Sequence, residues 1–362
     1  MKVLHCLNSP HIGGIERLVI ELAIAQKKHG IDVSIMFDTR SGQYYEYLLE
    51  QDISILDSGI KGGFDFNYIT YITLKKEFEG FQIVHLHSFS PIRALAAKRS
   101  KVKVLYTIHG LSKGVRKEGL LKYYIRESLK KWLLNYVDGL ITNSNYTLGL
   151  AKQHYGLEKV KTAVILNGIT LSDYNLDEKV NNSKEFTIGL VSRFTPRKRI
   201  DRLIGAFKKY QDLGGIGTLV LVGDGSDFNI IKKLVKDLKL GTSVILEGYK
   251  TNVSAYYKVF DVVVCPSENE PFGLVAVEAF IHGKPMIVFK DSGGMKEIIE
   301  PIEPHDIVEN EVELAKRLLL YSKSKSYISH SAKQKISYAK KYFSIERMEQ
   351  DYYKEYKSML TK

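Results

Sequence analysis

Short apolar runs alternate along nearly the whole chain with longer stretches in which apolar residues recur at helical spacing. KVLHCL, DVSIMF, FQIVHL, KVKVLYTI, DGLIT and KTAVIL in the first half are predicted β-strands. FTIGLV, GTLVLV, SVILEG, DVVVCP and PMIVF in the second half are read the same way. Between them the periodicity predicts amphipathic helices, among them 15–29, 200–213, 226–240 and 273–283. Strands apolar on both faces that alternate with helices build parallel sheets covered on both sides. The polar stretch TLSDYNLDEKVNNSKE at 170–185 has no apolar period and predicts a linker. The expectation is therefore an α/β chain of two Rossmann-like, doubly wound domains, 1–168 and 186–340, with a linker at 169–185. A final helix within 341–362 is expected to pack back towards the first domain. Ligands of such sheets bind at the carboxyl ends of the strands, so two facing domains would leave an interdomain cleft there.

Composition adds boundaries. The 362 residues exceed one ordinary core and suit two domains. No run of eighteen uncharged apolar residues predicts a membrane-spanning helix. The start, MKVLHCLNSP, reads as a first strand and not as a signal peptide. Cys6 and Cys265 fall in separate strand-like runs, which fits a reducing cytosol better than a disulfide framework. No Cys/His group has zinc spacing, so no structural metal is expected.

Candidate chemistry lies where strands give way to helices. Gly13 and Gly14 follow the first strand and could let a phosphate approach a helix N-terminus. A tight strand–helix turn explains the same glycines equally well, and the spacing is not G-x-G-x-x-G. SRFTPRKRID at 192–201 places Arg193 and Lys198 beyond a strand, where a planar fork and a point charge could neutralise a diphosphate. Solvation is the simpler reading for the adjacent Arg197 and Arg199. VGDGSD at 222–227 holds Gly223 and Gly225, for which a structural turn is favoured over a ligand contact.

The strongest segment is CPSENEPFGLVAVEAFIHGKP at 265–285. Glu270 lies in its loop and Glu278 about two turns into the following helix. Gly273 and Leu274 would offer N–H groups at that helix N-terminus. Carboxylates accept paired sugar hydroxyls and a helix N-terminus suits phosphate, so one segment could hold both. A glycosidase pair is disfavoured, because nothing sets the separation across a bond. No G-x-S-x-G elbow supports another hydrolase. Gly293, Gly294 and Glu297 follow a later strand, where a turn and a first-turn carboxylate explain them. In the first half, His85 and His87 follow one strand and His109 ends another. A lone histidine is more often structural, but its place at a strand tip singles out His109.

These residues together resemble the retaining glycosyltransferases of family 4, which have the GT-B fold. The resemblance runs over nearly the whole chain and is densest from 186 to 299. E-x7-E matches Glu270 and Glu278, the phosphate-binding cations match Arg193 and Lys198, and the first glycine loop matches Gly13 and Gly14. The histidine facing the donor sugar matches His109; N-S at 143–144 and N-G at 167–168 also fit. The resemblance implies that Arg193 and Lys198 hold a donor diphosphate, Glu278 ribose hydroxyls and Glu270 the transferred sugar. Gly14, Gly273 and Leu274 would assist through backbone, and His109 through a hydrogen bond to the sugar. It further implies transfer of a hexose or N-acetylhexosamine, with retention and without metal or cofactor, from a nucleoside-diphosphate sugar. The nucleotide is expected to be UDP ahead of GDP. The acceptor would be a glycan or lipid-linked glycan, in cell-surface polysaccharide synthesis. Two departures stand out: Arg199 replaces the family's usual glycine after the phosphate lysine, and EIIEPIEPHDIVEN replaces a glycine-containing segment. A GT-B nucleotide-sugar epimerase or a sugar phosphorylase is the alternative, since fold alone does not decide function.

Charge is concentrated. Residues 93–131 carry twelve Lys and Arg against Glu118 and Glu127, a local +10 of the chain's +12. Overlapping the end of this segment, 119–136 predicts an amphipathic helix on which Leu121, Ile125, Trp132 and Tyr136 recur and Lys122, Arg126 and Lys130 form a stripe. A surface helix packed on its own sheet is the simpler reading, and contact with an anionic membrane the sharper one. The expected location is the cytoplasm and, on the sharper reading, the inner face of the membrane. A nucleic-acid partner is not expected, because no helix-turn-helix, zinc or RNP motif accompanies the charge.

Overall fold

A computed structural model describes residues 1–11, 13–62, 65–111, 120–174 and 185–361, the side chains of 173 and 325–330 excepted. The chain divides into two compact units. The first comprises Met1–Ile169 and Ile345–Lys362, and the second Thr170–Ser344.

Among the described residues the first unit contains a seven-stranded parallel sheet in the order β3-β2-β1-β4-β5-β6-β7. Its strands are β1 (Lys2–Cys6), β2 (Asp32–Phe37), β3 (Ser54–Asp57), β4 (Ile83–Leu86), β5 (Lys103–Ile108), β6 (Gly139–Thr142) and β7 (Thr162–Val164). Its helices are α1 (Gly14–Lys28), α2 (Tyr44–Glu50), α3 (Tyr68–Phe78), α4 (Pro91–Arg99), α5 (Leu120–Leu134) and α6 (Asn145–Tyr155). The central strands are buried on both faces, so they read as unbroken apolar runs. One face packs Val3, Ile83, Leu105 and Ile141 under α1 and the final helix α14 (Ile345–Leu360), through Tyr352, Tyr356 and Met359. The other packs Leu4, Val84 and Tyr106 against Leu74, Phe78 and Ala97. Arg347 of α14 donates to the Leu166 carbonyl at 2.7 Å, and Ile345 N–H to that of Ile169 at 2.9 Å.

The second unit holds a six-stranded parallel sheet in the order β10-β9-β8-β11-β12-β13. Its elements run β8 (Thr187–Val191), α7 (Ile200–Asp212), β9 (Thr218–Val222), α8 (Phe228–Asp237), β10 (Val244–Gly248), α9 (Ser254–Val259), β11 (Val262–Cys265), α10 (Leu274–Ile281), β12 (Met286–Phe289), α11 (Gly294–Ile299), β13 (Ile307–Val308), α12 (Glu311–Lys323) and α13 (Lys325–Phe343). Leu190, Leu221, Val264 and Ile287 pack against Leu203, Phe207 and Leu318 of α7 and α12. The order of strands reverses between β1 and β4 in the first sheet and between β8 and β11 in the second. The crevice outside the carboxyl ends at such a reversal is where doubly wound sheets bind ligands.

The expected linker is partly structured: Leu171–Asp173 form a single 3-10 turn, and Tyr174 packs edge-on against His282 at 5.5 Å. Residues 175–184 of that linker lie outside the described residues. Both cysteines are free and buried, and burial raises both thiols above their ordinary range, Cys6 to about 12.

Candidate functional site

The expected site residues lie in the segments that leave the carboxyl ends of β1, β5, β8 and β11, with Gly14 starting α1, and Leu274 and Glu278 inside α10. In the second unit, β8 leads into Arg193 and then a 3-10 turn at Pro196–Lys198. Arg193 is exposed, and its guanidinium makes no ion pair among the described residues. Lys198 is half-buried, with Nζ 2.5 Å from Oε1 of Glu270. Glu270 itself is only 5% exposed. Its Oε2 lies 3.7 Å from Arg197, so that residue is not merely solvated.

The backbone around Glu270 is held by the sheet beyond β11 and β12. Asn269 N–H donates to the Asp291 carbonyl, Glu270 N–H to Ser292, and Gly294 N–H back to Glu270, at 2.9, 3.0 and 2.7 Å. Glu268 N–H donates to Arg197 at 3.0 Å, which ties the loop after β11 to the loop after β8. Lys198 and Glu270 thus meet because two loops flanking the strand reversal are hydrogen-bonded to each other.

Arg199 has φ 45° and ψ 43°, the left-handed region that favours glycine. That accounts for the glycine expected there from the resemblance. Here an arginine takes the conformation, with its guanidinium committed to Glu268 and, at 3.1 Å, to Asp201. Gly223 has φ 139°, and a Cβ there would stand 1.8 Å from the Ser192 carbonyl oxygen. The glycine therefore allows the loop after β9 to close onto the loop after β8.

Gly273, at φ 98°, starts α10, and a Cβ there would meet Met295 at 2.8 Å. No side chain caps α10, so N–H groups of its first turn, Leu274 included, are left to other acceptors. Glu278 accepts from the Tyr257 hydroxyl at 2.8 Å and from Tyr174 at 3.4 Å. These tyrosines hold the carboxylate in place. Neither was legible in the sequence as a partner of Glu278.

In the first unit, Gly13 caps α1 in an extended conformation any residue adopts, and a Cβ on Gly14 would meet nothing within 4 Å. A Cβ on Gly13 would meet the Glu16 carboxylate at 2.2 Å, so that side chain lies over the helix N-terminus. His109, just beyond β5, has Nε2 3.0 Å from Nδ1 of His87. Its Nδ1 is enclosed and has no hydrogen-bond partner among the described residues, and burial lowers its pKa to about 4. Asn143 donates to the His109 carbonyl at 3.1 Å. Ser144 caps α6 by accepting from Thr147 N–H at 3.0 Å.

His5 lies inside the β1 apolar run and belongs to no motif in the sequence. Together with His85 and His87 it forms a buried group whose ligand atoms all lie within 4.8 Å of one another. A metal could be held by such a set, but each of the six ring nitrogens already has a protein hydrogen-bond partner. The signal lay in strand register, since His5 on β1 is aligned with His85 on β4.

The basic segment carries less surface charge than its sequence implies. Arg93 is wholly buried and paired with Asp38, so it adds nothing to a surface charge. Lys103 pairs with Asp138 at 3.2 Å. Lys113, Arg116, Lys117 and Glu118 lie outside the described residues. On α5, Leu133 and Leu134 are buried, whereas Leu121 is 75% and Tyr124 63% exposed. Among the described residues no helix is long and apolar enough to cross a membrane.

Comparison with known proteins bears on the whole chain. Residues 12–173 match the family model described as Glycosyltransferase Family 4, and residues 173–342 the one described as Glycosyl transferases group 1. The chain is 32% identical over 232 residues to an uncharacterized 41.2 kDa protein in the cps region of Klebsiella pneumoniae. That match covers 59% of this chain and 61% of the Klebsiella protein's length. An uncharacterized glycosyltransferase of Haemophilus influenzae is 27% identical, over 91% of this chain and 93% of its own. Anabaena Alr3699/HepE, solved in complex with UDP, superposes with a TM-score of 0.82 at 20% identity, covering 99% of this chain and 100% of that one. The last likeness shows the fold, which is GT-B. With its two halves each matched by a glycosyltransferase model, the chain belongs to the family 4, or group 1, glycosyltransferases.

Proposed function

We propose that the protein moves a hexose or N-acetylhexosamine from a nucleoside-diphosphate sugar, UDP ahead of GDP, to a glycan or lipid-linked glycan. The observation that carries this reading is the Lys198–Glu270 pair, with Arg197 beside it and Arg193 exposed, where the strand order of the second sheet reverses. Cations there suit a diphosphate, and a buried carboxylate suits sugar hydroxyls. Donor binding would give each member of the pair a new partner, phosphate for Lys198 and hydroxyl for Glu270. Glu278, braced by Tyr257, would take the ribose hydroxyls. HepE's complex with UDP supports the choice of nucleotide, and the Klebsiella relative's place in a cps region supports a polysaccharide product.

In the reaction the bond from the anomeric carbon to the diphosphate oxygen breaks, and the acceptor oxygen bonds to that carbon on the same face. The acceptor's proton passes to a donor phosphate oxygen, and nucleoside diphosphate leaves. Retention then needs no protein nucleophile, and Arg193 and Lys198 stabilise the departing charge in place of a metal. The exposed apolar and basic side chains of α5 suit an anionic lipid surface near the acceptor.

Incubating the enzyme with UDP-sugars, with and without a lipid-linked acceptor, tests the reading. Acceptor-dependent release of UDP is expected. Conversion of the donor alone would favour an epimerase, and phosphate-dependent release of sugar phosphate a phosphorylase; either result contradicts transfer.

A further inference from the structure

The face of the first sheet under α1 and α14 is apolar along most of its length but ends in a buried polar row. His5, His85, His87, Thr107 and His109 form it, roofed by Gln26 of α1 and by Tyr352 and Tyr356 of α14. One continuous chain runs through the row. His5 Nε2 lies 2.7 Å from Gln26 Oε1, and His5 Nδ1 lies 2.9 Å from His87 Nε2. His87 Nδ1 then lies 3.0 Å from His109 Nε2. A branch leaves from the other end of the Gln26 amide: Nε2 is 3.3 Å from the Tyr356 hydroxyl, which is 2.8 Å from His85 Nδ1. His85 Nε2 is 2.7 Å from the Thr107 hydroxyl.

Burial holds His5 and His109 at about 4 and His85 and His87 well below the ordinary range, so all four rings are neutral. A neutral imidazole donates through one nitrogen and accepts through the other. In a chain of such rings, one fixed end therefore sets the direction of every link. An amide oxygen only accepts. With Gln26 Oε1 at His5 Nε2, the proton must be on Nε2 of His5, then of His87, then of His109. The chain then ends on a bare lone pair at His109 Nδ1. The opposite direction would leave an N–H buried without an acceptor at that atom, the rarer and costlier defect.

We propose that Gln26, His5 and His87 are positioning residues that hold His109 as the Nε2–H tautomer, so that its Nδ1 meets a substrate hydroxyl as an acceptor. The last clause rests on the donor reading above; the tautomers do not. Glutamine at position 26 is then required for the direction of its amide and not only for its volume.

Nitrogen-15 NMR of histidine-labelled protein reads the tautomers directly, without substrate. Nε2–H signals are expected for His5, His87 and His109 across pH 6–8. An Nδ1–H signal from His109 in the wild-type protein would overturn the proposal. Gln26→Met keeps the bulk and removes the acceptor, and His109 should then gain Nδ1–H population. A folded Gln26→Met protein whose His109 remains wholly Nε2–H would also overturn it. If that variant does not fold, the wild-type spectrum still decides. Addition of UDP-glucose should move the His109 Nδ1 resonance. Tautomers as stated with no such movement would remove the substrate contact and leave the positioning chain in place.

Discussion

Arg199 shows how a single residue can depart from a pattern and keep its geometry. The turn after Lys198 requires a left-handed residue, and arginine pays about 1 kcal/mol there relative to glycine. Its pairs with Glu268 and Asp201 offset part of that cost. Arg199→Gly should therefore stay within about 1 kcal/mol of the wild type, whereas Arg199→Ala, which keeps the strain and loses the pairs, should be about 1–2 kcal/mol less stable. Urea denaturation of the two variants checks the order, and equal losses would contradict it. Lys198 and Glu270 stand out in the sequence one at a time, each by its place beyond an apolar run. Their pairing, and the tyrosines on Glu278, were hidden because they depend on loops joined across the sheet and not along the chain.

At the scale of elements, the central strands were legible because burial on both faces writes them as unbroken apolar runs. β3 and β13 were not: the first is half-exposed at a sheet edge, and the second is two residues long. The histidine row lies on strands that were read correctly, yet only their alignment assembles it. That row makes stability fall in mild acid. Well above pH 6.5 the rings are neutral in folded and unfolded chain alike. Between about 6.5 and 4 the unfolded chain takes up protons that the folded His5 refuses, so stability drops as pH falls through this window. By pH 5.5 each wholly buried histidine costs roughly 1.4 kcal/mol. The groups facing them through hydrogen bonds, Gln26, Thr107, Tyr352 and Tyr356, are uncharged and offer no compensation. Denaturation midpoints at pH 7.5 and 5.5 should differ accordingly, and equal midpoints would contradict the neutral row. The helix α5 was predicted from its periodicity; Leu133 and Leu134 at its end pack into the core, but Leu120, Leu121, Tyr124 and Ile125 turn out to be exposed. Vesicles containing anionic lipid should sediment the protein at low salt, and Leu121→Ser with Tyr124→Ser should weaken this. No sedimentation at low salt would contradict the membrane reading.

Over the whole molecule, two parallel-sheet units and the family were readable from alternation and from E-x7-E with its basic partner loop. The boundaries were less so, because the start of the expected linker folds onto the second unit through Tyr174. The central claim is that the second unit holds a nucleoside diphosphate on Arg193 and Lys198. Calorimetric titration with UDP, GDP and ADP of the wild-type protein and of Lys198→Ala tests it most directly. Saturable binding of UDP, weakened at least about tenfold by the substitution, is predicted from the loss of a charge-assisted hydrogen bond. Failure of every nucleoside diphosphate to bind, or an affinity that Lys198→Ala leaves unchanged, would contradict it.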